Sequence, residues 1–294
     1  MSRLLVAVLV APLAGGLSAA ALADDAALQP EDDKRWGWDA VYKADLLHSA
    51  ATGSVLVGNL NLRVNADADA LFGWTGTTLH TEALLNHGGK PNRRVGTTQG
   101  ISNLEVVDSA ARLYATWAQK DFGDGKSLLF GLYDLNSEFY ATDASGLLIH
   151  PSFGIGIDFS QSGRNGPSIF PNLGLALRAK VQHDGGYYTQ FALIDGVPGD
   201  PDTPGRTVVR LKREDGALVA GEYGRQPGRP YRDAAPSPVA ARETSFEVGA
   251  RWQPWASVAV QPLVQRTWNV GGRPGEHATL VGARIEWSPG VGAP

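Results

Sequence analysis

Apolar and polar side chains alternate with a period of two in the segment 56–67, LVGNLNLRVNAD. Its even positions carry only apolar side chains or glycine, whereas five of its six odd positions are polar. Successive side chains of a β-strand point to opposite faces, so this pattern predicts a strand with one apolar and one wet face. Alternation alone leaves open which face is the inside, because a soluble β-protein buries the apolar face and a membrane barrel turns it towards lipid.

The same alternation recurs along the chain and predicts about twelve strands. In the first half, the predicted strands lie near 38–46, 56–67, 78–86, 112–120 and 128–132. In the second half, they lie near 173–181, 187–195, 207–213, 217–223, 246–252, 256–268 and 281–287. Within 112–120 the pattern predicts that Leu113, Ala115 and Trp117 share the apolar face. Residues 214–216, EDG, predict a hairpin turn between 207–213 and 217–223.

Strand length favours a membrane barrel over a soluble sheet. Most predicted strands have nine to thirteen residues, which suits tilted strands that cross a bilayer. Strands of soluble proteins are most often about five or six residues long. Two long stretches without alternation, 88–109 and 134–171, are expected to fold inward and narrow the interior.

The first 23 residues have the features of a signal peptide. Arg3 supplies a positive charge, residues 4–13 are apolar, and Ala21-Leu22-Ala23 forms a small-x-small cleavage signal. A retained membrane anchor is the alternative, because the stretch 4–23 is nearly long enough to span a bilayer. Pro12 interrupts that stretch, so we expect cleavage near Ala23, export, and a single mature domain over 24–294.

Composition narrows the class of protein further. The formal net charge of −4 and the lack of a basic patch give no sign of nucleic-acid binding. The chain has no cysteine, which excludes disulfides and thiolate metal sites. Its eight tryptophans lie mostly near the ends of alternating segments, as in the aromatic girdles of membrane barrels, although a soluble core would also accept them. No later apolar run reaches the roughly 18 residues of a spanning helix, so a membrane form would be a closed barrel.

Short stretches spread along the mature chain carry a family resemblance. They are GNLNLRVNADADALFGWTGTTLHTEALLNHGG (58–89), VGTTQGISNLE (95–105), ARLYATWAQKDF (111–122), NSEFYATDASGLLIHPSFG (136–154), FPNLGLALRAK (170–180), FALIDGVPGDP (191–201), VGARWQPWASVAVQPLVQRTWNVGG (248–272) and ATLVGARIEW (278–287). Taken together and in this order, they resemble the carbohydrate-selective porin family, OprB type, of Gram-negative outer membranes. The resemblance implies an all-β fold, a transmembrane antiparallel outer-membrane β-barrel with inward-folded loops, usually of about sixteen strands. It also implies passive diffusion of sugars through a polar lumen.

The chain departs from the family pattern in two places. Between GEYG (221–224) and ETSFEVGARW (243–252) family members carry further strands, where this chain has only the proline-rich loop 225–242. We expect a smaller closed barrel of about 12 strands, since an even number leaves both termini periplasmic and unpaired backbone in lipid is costly. The alternative is a shortened relative that needs a partner to close. The second departure is the ending, where SPGVGAP follows Trp287 although such barrels usually end on an aromatic residue.

Polar groups on the wet faces are the candidates for selecting a sugar. Guanidinium, carboxylate and amide groups match arrays of sugar hydroxyls. The predicted pore-lining residues on strands are Asn59, Asn61, Arg63, Asn65, His80, Glu82, Asn86, Arg112, Tyr114, Arg178 and Lys180. The inward segments add the constriction candidates Gln99, Asn103, Glu105, Glu138 and Phe139. The competing interpretation is a charge network across the lumen that stabilises the barrel.

Two other functions were weighed against a sugar channel. An outer-membrane lipid hydrolase would need a Ser/His site, and no G-x-S-x-G elbow occurs around 162–168. A secreted carbohydrate-binding β-protein is the other. His80, His87 and His150 lack metal-ligand spacing, so neither a metal nor any other cofactor is expected. The expected partners are sugars and outer-membrane lipid, with association into a homo-oligomer left open.

Overall fold

The computed structural model describes residues 35–50, 52–141, 146–225 and 244–289. The predicted signal peptide, 1–23, lies outside the described residues, and so does the proline-rich loop 225–242 apart from Arg225. In the described part of the chain, no helix is both long enough and apolar enough to cross a membrane.

Twelve strands form one sheet in which all pairs of neighbours are antiparallel. The strands are β1 (Trp36–Ser49), β2 (Gly53–Asp67), β3 (Thr77–Gly88), β4 (Ala111–Asp121), β5 (Lys126–Tyr133), β6 (Gly174–Gln182), β7 (Tyr187–Asp195), β8 (Ala217–Arg225), β9 (Thr244–Gly249), β10 (Trp252–Trp255), β11 (Val258–Trp268) and β12 (His277–Trp287). Each strand from β1 to β7 pairs with the next in sequence, and β12 returns to pair with β1. The expectation of an all-β antiparallel fold is confirmed.

Two of the twelve strands occupy a single position in the sheet. β9 and β10 both pair with the same edge of β11, with Gly249 opposite Leu263 and Trp252 opposite Val260. The sheet therefore has eleven positions, with β8 at one edge and β9 with β10 at the other. Neighbouring strands are antiparallel, and both edges lie an odd number of positions from β1. Both edges therefore run opposite to β1 and in the same direction as each other. Among the described residues, no strand pair joins them.

The connections differ sharply at the two ends of the sheet. Residues 122–125, 183–186 and 256–257 are short turns at one end, where β1 begins and β12 ends. The connection 68–76, which contains the short helix α1 (Ala68–Phe72), lies at the same end. The long connections 89–110, 134–173 and 196–216 all leave the opposite end, where β1 also joins β2 and β11 joins β12 through shorter connections. We call 89–110 the first inward segment and 134–173 the second inward segment, because both pack against one face of the sheet. That face is called the covered face, and the opposite one the outward face.

The two faces have opposite chemistry. On the outward face Leu56 and Leu62 are exposed, although leucine is among the residues most often buried in soluble proteins. On the covered face of the same strand Asn59 and Asn65 are buried. Exposed aromatic side chains gather near the end with the short turns: Trp36, Trp38, Phe72, Trp74, Phe122, Tyr187, Tyr223, Trp255 and Trp287.

Apolar side chains of the inward segments fill gaps in the covered face. Ile101 of the first segment and Ile149 of the second pack with Leu47, Leu263 and Leu280 of the strands. All five side chains are almost completely buried. Both segments are thus fixed on the sheet by apolar contacts as well as by polar ones.

A β-bulge reverses the alternation in β4. The pairing with β3 shifts by one residue beside Glu82 and Ala83, which leaves Tyr114 as an extra residue. Beyond it, Trp117 lies opposite His80 and stacks on it, with 4.7 Å between ring centroids. The prediction that Ala115 and Trp117 share the apolar face with Leu113 is therefore wrong for both residues. One extra residue in a strand flips every later side chain to the other face.

The predicted strand 207–213 is not formed. Residues 207–212 are irregular and 213–215 form a short 3₁₀ turn. β8 pairs instead with β7, and the Thr207 hydroxyl donates to the backbone oxygen of Leu113 in β4. The expected number of strands is reached because the predicted strand 246–252 is divided into β9 and β10.

Candidate functional site

A ladder of amides and one carboxylate crosses the covered face of β2 and β3. The Asn86 Nδ2 donates to Asn59 Oδ1 at 2.8 Å, and Asn59 Nδ2 donates to Asn61 Oδ1 at 2.6 Å. The Asn61 amide in turn donates to the Glu82 carboxylate. Cross-strand register produces this arrangement, since Asn59 lies directly opposite Asn86. Four of the predicted residues are therefore brought into one hydrogen-bonded chain.

A second group continues the ladder towards the end with the short turns. His80 Nδ1 lies 2.7 Å from Asn65 Oδ1, and its Nε2 lies 3.6 Å from Glu82 Oε2. Arg63 Nε lies 3.8 Å from Asp39 Oδ2 on the neighbouring strand. Charges of both signs thus alternate with amides along β1, β2 and β3.

Glu138 of the second inward segment is the centre of a charge cluster on the next strands. Its carboxylate receives Arg178 Nε at 2.7 Å, Lys180 Nζ at 3.0 Å and the Tyr133 hydroxyl at 2.7 Å. Arg178 also donates to the Gln119 side chain at 2.6 Å. The Arg178 side chain is only 2% exposed. The two predicted cations and the predicted carboxylate therefore meet in one place.

A matching cluster fixes the first inward segment on β1 and β12. Arg284 forms a bidentate pair with Asp45, at 2.6 Å and 2.8 Å. The same guanidinium donates to Asn103 Oδ1 at 2.6 Å, and the Ser102 hydroxyl donates to Asp45 at 2.7 Å. Planar bidentate geometry makes such a pair strong and directional. Asn103 was predicted as a constriction residue, whereas Asp45 and Arg284 were not.

A buried carboxylate on β9 holds the second inward segment at its far side. Glu247 accepts the backbone N–H groups of Ile149 and His150, at 3.1 Å and 3.0 Å. Gln265 donates to the same carboxylate at 3.0 Å and to the backbone oxygen of Ile101 at 2.9 Å. One amide side chain thereby links both inward segments to the sheet.

The remaining predicted residues of the first inward segment support its own shape. Glu105 accepts the backbone N–H of Asn92 at 2.5 Å, at the start of the short helix α2 (Pro91–Val95). Gln99 accepts the Ser152 hydroxyl at 2.5 Å, a direct contact between the two inward segments. Glu105 therefore braces the segment, and Gln99 joins it to its neighbour.

Three predicted residues lie deeper in the protein than a freely accessible lining would. Arg112 donates to the backbone oxygen of Pro204 at 2.7 Å and to Asn172 Oδ1 at 3.1 Å, and is almost fully buried. The Tyr114 hydroxyl donates to the Asp134 carboxylate. Phe139 is only 3% exposed and packs in an apolar cluster with strand residues. Arg112 and Tyr114 thus hold the second inward segment from the strand side, and Phe139 packs that segment against the strands.

Burial and neighbouring charges shift the ionisation of groups on the inward segments. Burial raises the pKa of Glu138, but Arg178 and Lys180 outweigh that effect, so its pKa lies below the ordinary value. For Glu105 burial is the larger effect and raises the pKa. Burial alone lowers the pKa of His150 to about 4, so this ring is neutral at pH 7.

Residues missed from the sequence fall into two groups. Strand residues such as Asp45, Glu247 and Arg284 occupy the polar alternate of their strands, so the period of two was a sufficient signal for them. By contrast, Asn165 and Asn172 lie in the second inward segment, where no periodicity marks which side chains meet.

Comparison with known proteins agrees with this architecture. The sequence profile of the carbohydrate-selective porin, OprB family, matches residues 53–238, well over half of the chain. The high-pH structure of Pseudomonas putida OprB superposes with a TM-score of 0.60 at 13% identity, covering 86% of this chain and 93% of that one. The low-pH structure of the same protein gives 0.42 at 11% identity, covering 87% and 93%. A mutant porin of Rh. blastica gives 0.33 at 10% identity, covering 86% and 99%. No curated protein matches the chain.

Proposed function

We propose, from the premise that this chain belongs to the carbohydrate-selective porin, OprB family, that sugars cross the outer membrane along the covered face of its sheet. The family consists of channels, so the protein works as a sugar porin and not as an enzyme. The carrying observation is the reversed placement of polar and apolar side chains, with amides and charges on the covered face and leucines outside.

The outward face supports contact with lipid. Exposed apolar side chains such as Leu56, Leu62, Leu177 and Ile285 follow one another across several strands. A soluble monomer rarely exposes contiguous apolar surface on this scale, whereas lipid is the preferred environment for it. We therefore place these side chains against the acyl chains of the outer membrane.

The asymmetry of the connections supports one orientation. Outer-membrane barrels have short turns on the periplasmic side and longer loops outside. The start of β1 and the end of β12 lie with the short turns, and so we place them in the periplasm. This placement agrees with export by a signal peptide cleaved near Ala23, which remains a proposal.

We infer that the sheet closes into a barrel, because an open edge in lipid would leave costly unpaired backbone groups. β8 and the edge formed by β9 and β10 run in the same direction, so antiparallel closure needs an odd number of further strands. A single crossing would give the twelve positions expected from the sequence. A second copy in the same orientation has edge strands of the same direction, so its edges cannot pair antiparallel with those of the first copy. A homo-oligomer would therefore form through the outward faces and not through a shared sheet.

The two inward segments supply the constriction. Both leave the end opposite to the short turns and are fixed on the covered face by the Glu138 and Asp45 clusters. The channel would select sugars because their hydroxyl groups can exchange hydrogen bonds to water for hydrogen bonds to the amides, carboxylates and guanidinium groups of the covered face. Such contacts must stay weak enough for the sugar to leave. Asn61 and Arg63, which are only partly buried on the covered face, provide them along the wall.

Liposome swelling tests the proposed function directly. The purified chain, shown to be folded by a heat-dependent shift in gel migration, is reconstituted and exposed to mono- and oligosaccharides of increasing size. We expect rapid swelling with small sugars and slower swelling as size increases. Absence of both sugar flux and ion conductance from folded protein would refute a channel.

A pair of arginine variants tests the assignment of faces. Arg63→Ala removes a cation from the covered face, and we expect altered ion selectivity with folding retained. Arg266→Ala is the matched control, since that side chain lies on the outward face of β11 and contacts Trp268. Equal effects of the two variants on selectivity would contradict the proposed lumen.

A further inference from the structure

A pocket of about 260 Å³ lies between the two inward segments. Its walls are formed by residues 98–99 of the first segment and by residues between 151 and 172 of the second. None of its lining side chains carries a charge. The pocket thus differs from the rest of the covered face, where guanidinium and carboxylate groups are frequent.

The lining combines two kinds of surface. Four amide side chains offer donors and acceptors at different points of the wall: Gln99, Gln161, Asn165 and Asn172. Apolar surface is supplied by Phe170, Ile155 and prolines. Amides can exchange hydrogen bonds with hydroxyl groups, and apolar surface accepts the C–H faces of a ring.

Hydrogen bonds behind the lining hold the pocket open. The Ser152 hydroxyl bonds to Gln99 across the segments, and Asn165 Nδ2 donates to the backbone oxygen of Pro198 at 2.6 Å. Asn172 Oδ1 accepts Arg112 Nη1 at 3.1 Å, and the guanidinium itself is not part of the lining. The walls are therefore largely preorganised, which lowers the entropic cost of binding.

The size and the neutrality of the pocket limit what it accepts. A single sugar ring fits within its volume of about 260 Å³. A carboxylate or an ammonium group would lose water there and find no opposite charge on the lining itself. The Arg112 guanidinium lies behind Asn172 and is already held by the oxygens of Asn172 and Pro204. A neutral polyol loses only hydrogen bonds that the amides replace.

We propose that this pocket binds a single uncharged sugar ring during passage and that its neutral lining discriminates against acidic and amino sugars. The inference rests on the proposed function and adds a location and a charge rule to it. Gln161, which is exposed at the rim, sets the charge of the entrance.

Block of the ion current through planar bilayers measures this binding. The probes are glucose, glucuronate and glucosamine at pH 7, which share a ring and differ in charge. In the unmodified protein we expect a half-blocking concentration of glucose at least about fivefold below those of the charged sugars. Gln161→Glu retains the shape of the side chain and adds a carboxylate. It should lower the half-blocking concentration of glucosamine about fivefold relative to the unmodified protein, as expected for one screened charge nearby.

Gln253→Glu is the matched control, because it makes the same change at an exposed side chain of β10, away from the pocket. It should leave the ratios among the three sugars unchanged. Equal block by the three sugars, or unchanged ratios in Gln161→Glu, would refute the proposed binding site. An intact ion current in that experiment would still support the porin function. Absence of any ion current would instead refute the proposed function and this inference with it.

Discussion

Replacing Glu138 with glutamine removes the charge that fixes the second inward segment to the strand wall. The carboxylate receives Arg178, Lys180 and the Tyr133 hydroxyl within 3.0 Å. Glutamine keeps the shape and one acceptor oxygen, so the change isolates the ionic part of the contact. Arg178 would then be a buried cation with only neutral partners.

The magnitude follows from how completely each partner is buried. Breaking a fully buried ion pair costs about 3–5 kcal/mol. Arg178 is nearly fully covered, but the Glu138 side chain is 22% exposed, and solvent screening reduces the cost. We expect Glu138→Gln to lower the free energy of unfolding by about 2–3 kcal/mol.

Two assays measure the consequence. Urea titration of the protein in lipid vesicles gives the free energy of unfolding, and planar bilayers give the single-channel conductance. A loosened second inward segment should widen the route and raise the conductance. Glu276→Gln is the matched control, because the Arg273–Glu276 pair is about half exposed on both sides and should contribute less than about 1 kcal/mol.

A double-mutant cycle decides whether the pair itself is responsible. Arg178→Met alone and together with Glu138→Gln should show a coupling energy above about 1 kcal/mol. Coupling below about 0.5 kcal/mol, or equal losses in Glu138→Gln and Glu276→Gln, would refute the argument.

Three further outcomes are expected. Leu62→Arg on the outward face should cost about 2–4 kcal/mol near the bilayer midplane, whereas Leu62→Phe should fold normally in the same urea titration. Burial lowers the pKa of His150 from 6.5 to about 4. Between pH 6.5 and pH 4 the unfolded chain therefore binds a proton at this residue and the folded protein does not, so the free energy of unfolding should fall by up to about 3 kcal/mol as the pH drops through this window. His150→Asn should flatten this pH profile of stability. Gly131 has φ +148, and an added Cβ would lie 2.2 Å from the Thr116 backbone oxygen. Gly123 also has a positive φ, +79, but no atom lies within 4 Å of an added Cβ there. Gly131→Ala should therefore reduce the folded yield on heat-shift gels more than Gly123→Ala.

Much of the sheet was predictable because successive residues of a strand point to opposite faces, so the chemistry of each face appears at alternate positions of the sequence. Lateral pairing needs no further information where consecutive strands are joined by short turns. Thus β6 and β7, joined by residues 183–186, lie where the pattern placed them. The same period also marks Arg178 and Lys180 as one face of β6, and the structure brings both to Glu138.

The inward segments follow no such rule. Their contacts join residues far apart in sequence, such as Asn103 with Arg284 and His150 with Glu247. No local pattern encodes these distances, because each contact depends on where the strands have already placed the partner. The bulge at Tyr114 belongs to the same class, since an extra residue is visible only against the register of the neighbouring strand.

The sequence by itself determined most of the strands, their two unlike faces and the family to which they belong, because period-two alternation and family motifs are local properties of the chain. Tertiary structure alone decided which face is covered, that β9 and β10 share one position, and how Glu138 and Asp45 anchor the inward segments. It also produced the uncharged pocket, whose walls come from two segments separated by more than one strand. These features arise from packing between distant parts of the chain, where long-range geometry replaces local propensity.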